Sequence, residues 1–240
     1  MRFLSAVDAL IGAFGSEESR ASRETARAAF ELRTGAFRPE DPWFEARSRA
    51  FIDDALTQES VLSGLCARLP EEAQAWLPAF GRAHRGLFEV QEDDGDVLLV
   101  RDLVSGVELF VTDLDESTAI ALDAARGLFD ARLVGFAEPA GIGALPGPVF
   151  HVEEATPLIK DVLLAAREQG LSSTDTLDAL LRMEHKHRSL SRMKPTYAYK
   201  KEALARTPVT PHEGSGPHDA KGVLLLRSRL TKRADSESKG

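Results

Sequence analysis

The chain has 240 residues, 43% hydrophobic and 28% charged, with a formal net charge of −8 and a single cysteine. These totals fit a globular protein that can bury a core, and they exclude an intramolecular disulfide or a cysteine-built zinc site. The acidic balance argues against nonspecific nucleic-acid binding by the whole molecule, because acidic surface repels phosphate. No stretch approaches the ~18 uninterrupted apolar residues of a membrane-spanning helix.

Phe3, Leu4, Val7, Leu10, Ile11 and Phe14 recur at helical spacing and Asp8 interrupts the apolar run, so residues 3–14 read as a packed amphipathic helix rather than an export signal. Ser16 with Glu17 and Glu18 signals a second helix start, and Asp41-Pro42 a third, whose face carries Trp43, Phe44, Arg47, Ala50, Phe51, Asp54 and Ala55. Further starts at Ser60 and Pro70 predict short helices bearing Leu65, Leu69, Trp76, Leu77 and Phe80. Residues 1–86 are thus predicted to form a helical bundle.

The period then changes to two. Leu87–Val90, Val97–Leu103, Val107–Val111, Leu128–Phe136 and Val149–Val152 read as strands, separated by Asp/Gly and Ser105-Gly106 turns. Short strands without a long helix between them predict an antiparallel meander or small barrel over 87–152, with Gly141–Pro148 as a loop. Thr156-Pro157 and Ser172 open two further helices within 153–206, the first stopping at Gly170. The Pro/Gly/Ser-rich stretch after Arg206 makes 207–240 a linker and tail, with Val223–Leu226 as a possible added strand and a disordered end. The fold class is α+β.

The stretches Leu87–Val90, Asp94–Asp96, Leu98–Leu103, Ser105-Gly106 and Leu128–Val134 resemble the β module of bacterial proteins that often also carry a SEC-C zinc motif. The resemblance implies helices flanking a compact β unit. It carries over no zinc site, since that motif needs a cysteine cluster and only Cys66 exists here.

Candidate chemistry is sparse. Cys66 lies beside Val61, Leu62 and Leu65 and reads as a packing residue. Asp93, Asp94 and Asp96 around Gly95 read as a hairpin turn rather than a calcium loop. Gly141–Gly147 resembles a nucleotide fingerprint, but Pro146 and Pro148 lead into a strand and not into the required helix. His185 and His187 would point about 200° apart on a helix, and His212, His218 and Asp219 add no fixed geometry for a metal. Neither a cofactor nor a metal is expected.

Charge is the strongest signal. Residues 1–183 carry 17 Lys+Arg against 32 Asp+Glu, whereas 184–240 carry 13 against 6. Within 185–206 lie Lys186, Arg188, Arg192, Lys194, Lys200, Lys201 and Arg206, with Tyr197 and Tyr199 among them. Cations release counterions from phosphates and aromatic rings stack on unpaired bases, so this segment is the candidate nucleic-acid surface. With no nucleophile–base pair in sight, the leading expectation is a non-catalytic, cytoplasmic bacterial interaction or regulatory protein that binds another protein. The alternatives are a nucleic-acid-associated accessory factor and a hydrolase whose acids, Asp53, Asp54 or Asp102, converge only in three dimensions.

Overall fold

A computed structural model describes residues 2–95, 97–124, 127–137, 140–190 and 193–204. Helix α1 (Phe3–Gly15) buries Phe3, Val7, Leu10 and Phe14, the stripe its spacing predicts. Ser16 opens a 3-10 turn that leads into α2 (Arg20–Thr34), which ends at Gly35 with φ +99°. Helix α3 (Phe44–Ala55) starts two residues after Pro42, because the Asp41 carboxylate accepts the Arg38 amide at 2.7 Å instead of capping the helix. The short helices α4 (Glu59–Leu65), α5 (Glu71–Gln74) and α6 (Leu77–Phe80) complete the N-terminal layer.

Next come β1 (His84–Asp93), β2 (Leu98–Asp102), β3 (Glu108–Val111), α7 (Glu116–Ala124), β4 (Phe129–Ala137), β5 (Ala140–Ala144) and β6 (Val149–Phe150). Strand order is β3-β2-β1-β4-β5, every neighbour antiparallel, with β6 beside the start of β4. The expected β2–β3 hairpin is present, in a register running from Leu98 opposite Val111 to Arg101 opposite Glu108. Its turn uses Gly106 at φ +80°. In the β1–β2 turn, the Asp93 and Asp94 carboxylates accept the amides of Gly95 and Val97 at 2.9 and 2.7 Å, so these acids shape the hairpin. Past β3 the chain bonds in parallel to β5, Thr112 N to Ile142 O at 2.8 Å and Ala144 N to Asp113 O at 2.9 Å. The sheet is thereby curled into a half-barrel.

Three expectations are corrected. The stretch 141–148, read as loop, begins within β5, because glycine there permits close approach and does not break the strand: a Cβ on Gly143 would enter the Phe3 ring. A helix, α7, also separates β3 from β4 and sends Leu122 into the half-barrel core with Phe88, Val111 and Phe129. The strand expected to reach Val152 stops at Phe150.

Helix α8 (Thr156–Glu168) has proline in its first turn and is followed by Gly170 at φ +68°. The Ser172 hydroxyl accepts the Asp175 amide at 3.1 Å and caps α9 (Ser173–Ser189). Helix α10 (Pro195–Ala198) and a 3-10 turn at Lys201–Ala203 fold back to bury Ala198, Tyr199 and Leu204 against α8 and α9. The helical and β segments share their cores: Val134 and Val149 pack among the N-terminal helices, and Leu87 and Leu128 among α8 and α9. The expected linker, tail strand and disordered end beyond 206 lie outside the described residues.

Glycine positions give a direct test. A Cβ at Gly147 would lie 2.7 Å from the Ala50 backbone nitrogen and closer still to Arg49. Backbone cannot rotate away as a side chain can, so Gly147→Ala should cost roughly 1–3 kcal/mol. Gly12 is exposed on α1 with nothing nearby, and Gly12→Ala should gain up to about 1 kcal/mol. Urea unfolding of the two variants measures both signs.

Candidate functional site

The charged residues that matter most in the structure are ones with no sequence motif. Strand β4 is buried on both faces: Phe129, Ala131 and Leu133 line the half-barrel, while Asp130 and Arg132 face the helices. Register places Arg85 opposite Arg132 and Leu87 opposite Asp130, so β1 and β4 present two arginines and one aspartate to α2, α3 and α9. Those helices answer with Arg33, Asp54 and Asp178.

The pairing is nearly complete. Arg85 Nε and Nη2 donate to the two Asp130 oxygens at 3.1 and 2.8 Å, and its Nη1 donates to Asp178 Oδ1 at 2.7 Å. Arg33 Nη1 spans both Asp178 oxygens at 3.1 and 2.9 Å, and its Nη2 reaches Asp54 Oδ2 at 2.6 Å. Asp54 Oδ2 also accepts from Gln58 at 2.9 Å, while Arg132 occupies Oδ1. Burial alone would raise the pKa of Asp178, but Arg85 and Arg33 outweigh it and hold the carboxylate below its ordinary range. Arg132 moves the other way: burial and the neighbouring Arg85 lower its pKa.

A second group lies beside it. Arg47 Nη2 donates to Thr34 O at 2.8 Å and its Nη1 is 3.8 Å from Glu184, itself paired with Arg188. Burial raises the pKa of Glu184 against the opposing pull of Arg188 and Arg47. His151 Nδ1 and the Tyr199 hydroxyl are 2.9 Å apart; burial lowers His151 to about 4 and raises Tyr199. Asp53 accepts the Gly147 amide at 2.7 Å, and burial raises it to about 7.

The three acids weighed for hydrolysis therefore do not converge. Asp54 belongs to the arginine network and Asp53 to the Gly147 loop. Asp102 binds His84 Nε2 at 3.0 Å, Ser105 Oγ at 2.5 Å and three backbone amides, which makes it the organiser of the β2–β3 turn. Its hydrogen bond raises the pKa of His84. Serine and histidine both bond to the aspartate and not to each other, so no activated hydroxyl results. Among the described residues no group of three His, Cys, Asp or Glu is arranged to hold a metal.

The basic segment is only partly a surface. Tyr199 is 3% exposed, so its ring offers no face for a base, which corrects its place among the candidate contacts. Arg188 is committed to Glu184 and to the Phe150 carbonyl. Lys186 Nζ lies 3.5 Å from the Tyr197 carbonyl. Lys194, Tyr197, Lys200 and Lys201 remain exposed, and the Lys200 amine sits 5.5 Å from the Tyr197 ring centre. Arg192 and Arg206 lie outside the described residues, as do His212, His218 and Asp219. His185 packs against Gly35 and Trp43, and His187 against Tyr199, so the two rings point to different neighbours. Cys66, expected in the core, is half-buried with Sγ 3.8 Å from Gln74.

Removing one member of the network strands its partners. Asp54→Ala leaves buried Arg132 without its carboxylate and should cost about 3–5 kcal/mol, whereas pairing Asp54→Leu with Arg132→Met should recover much of that loss. Denaturant unfolding of singles and double gives the coupling. Asp53 keeps its proton to about pH 7 when folded but releases it near its ordinary 3.8 when unfolded, so stability falls as pH rises between these values. Asp53→Asn should flatten that slope and raise stability at pH 8.

No protein-family model, curated protein or solved structure matches the chain.

Proposed function

We propose that the protein is a non-catalytic, cytoplasmic bacterial interaction protein whose outer β face binds another protein. One observation carries this reading: Phe110 is 63% exposed in the middle of β3, directly opposite half-buried Leu99 on β2. Arg101 and Glu108 face each other in the next row. An aromatic anchor on rigid backbone with charged neighbours matches the anatomy of a binding surface, apolar at its centre and polar at its rim.

The competing readings have less support. Among the described residues the acids weighed for hydrolysis have structural partners: Asp54 arginines and Gln58, Asp53 the Gly147 amide, and Asp102 His84, Ser105 and backbone amides of its turn. Lys200 and Lys201 share their surroundings with Asp161, Glu168 and Glu202, which repel phosphate.

Phe110→Glu tests the proposal because the side chain is largely outside the core. The variant should keep the wild-type unfolding free energy in urea within about 0.5 kcal/mol, as surface changes do. Affinity purification from the native host should recover a protein partner with and without nuclease, and Phe110→Glu should lose it. A variant that retains every partner, or a wild type whose partners all vanish with nuclease, overturns the reading.

A further inference from the structure

A groove of about 720 Å³ runs between α8 and the Tyr199–Glu202 segment. It is lined by half-buried Leu158, by Leu164, which is 56% exposed, and by the small exposed parts of the otherwise buried Val162, Ala165 and Tyr199. Its walls carry opposite charge. Asp161 and Glu168 line the α8 side, and Lys200 and Lys201 line the other, with Glu202 beside them. Among the described residues none of these five charges forms an ion pair.

We propose that this groove is a second docking site, separate from the Phe110 face, for an amphipathic helix of a partner protein with one basic and one acidic edge. The spacing of the α8 wall supports a helix. Leu158, Asp161, Leu164 and Glu168, the groove-lining positions of α8 that reach solvent, recur every three to four residues, forming the ridge that another helix's ridges interleave. α8 has 13 residues, about 20 Å at 1.5 Å per residue, enough for several turns of contact. Charge complementarity fixes the partner's edges: cations against Asp161 and Glu168, carboxylates against Lys200 and Lys201. Three carboxylates around the groove disfavour a nucleic-acid backbone, which carries one sign of charge throughout.

The test uses the full chain and fluorescently labelled, stapled 20-residue helices with leucines along one face. One carries Lys on one edge and Glu on the other, one Lys on both, and one Glu on both. The mixed helix matches both walls in one of its two directions and should bind about tenfold more tightly than either single-sign helix. Leu164→Glu should abolish this binding. The double change Asp161→Lys with Glu168→Lys makes both walls basic and should transfer the preference to the all-Glu helix. Phe110→Glu should leave mixed-helix binding unchanged, which separates this proposal from the β-face reading. Equal binding of all three helices, or indifference to Leu164→Glu, overturns it. Loss of binding in Phe110→Glu would assign the helix to the β face. Salt-sensitive binding of a single-stranded oligonucleotide that disappears in Lys200→Ala with Lys201→Ala, without helix binding, would give the surface to nucleic acid.

Discussion

Asp54 is the residue on which the layers depend. Its carboxylate is held at once by Arg33 from α2, Arg132 from β4 and Gln58, the residue before α4. Asp178 on α9 repeats the arrangement with Arg33 and Arg85, so two aspartates and three arginines tie the helices to the inner face of the sheet. Buried ion pairs gain little net stability over well-packed apolar residues, because desolvation cancels most of the Coulomb attraction. Their effect is geometric. Arg85 forks onto Asp130 within the sheet and reaches Asp178 on α9 with its remaining nitrogen, while Arg132 reaches Asp54 on α3, so directed contacts fix how the helices sit on the sheet.

That constraint shapes the surfaces. Gly86–Phe88 of β1 and Phe129–Val134 of β4 are buried, whereas β3 keeps an outer side open to solvent, and Phe110 stands there. Elsewhere, Tyr199 anchors the C-terminal segment through His151 and buries its ring beside α8. The anchor leaves Lys200 and Lys201 facing α8 across the groove. This part of the basic segment is thereby held as one wall of a charged cleft.

Glycines complete the arrangement by letting backbone meet backbone. Gly147 lies against Arg49 and Ala50, where its amide reaches Asp53, and Gly143 makes room for Phe3. Phe3 stacks on Phe136 with ring centres 5.6 Å apart, so the first helix is packed directly on the sheet. Sequence patterns treat glycine and proline as loop signals, and here that signal hid a strand.

The sequence by itself determined the helical stripes, the β2–β3 hairpin, the Ser172 cap and the α+β class, because these follow from side-chain periodicity and local backbone preference over a few residues. It also placed Arg47 and Asp54 on the aromatic face of α3, a trace of the network. What that trace meant was decided elsewhere. Alternation marks Asp130 and Arg132 as a polar face, and polar faces usually meet water; only the docking of α3 and α9 turns that face inward. Pairings such as Arg33 with Asp178 join residues far apart in the chain, and no local pattern encodes which charge will find which partner once water is excluded.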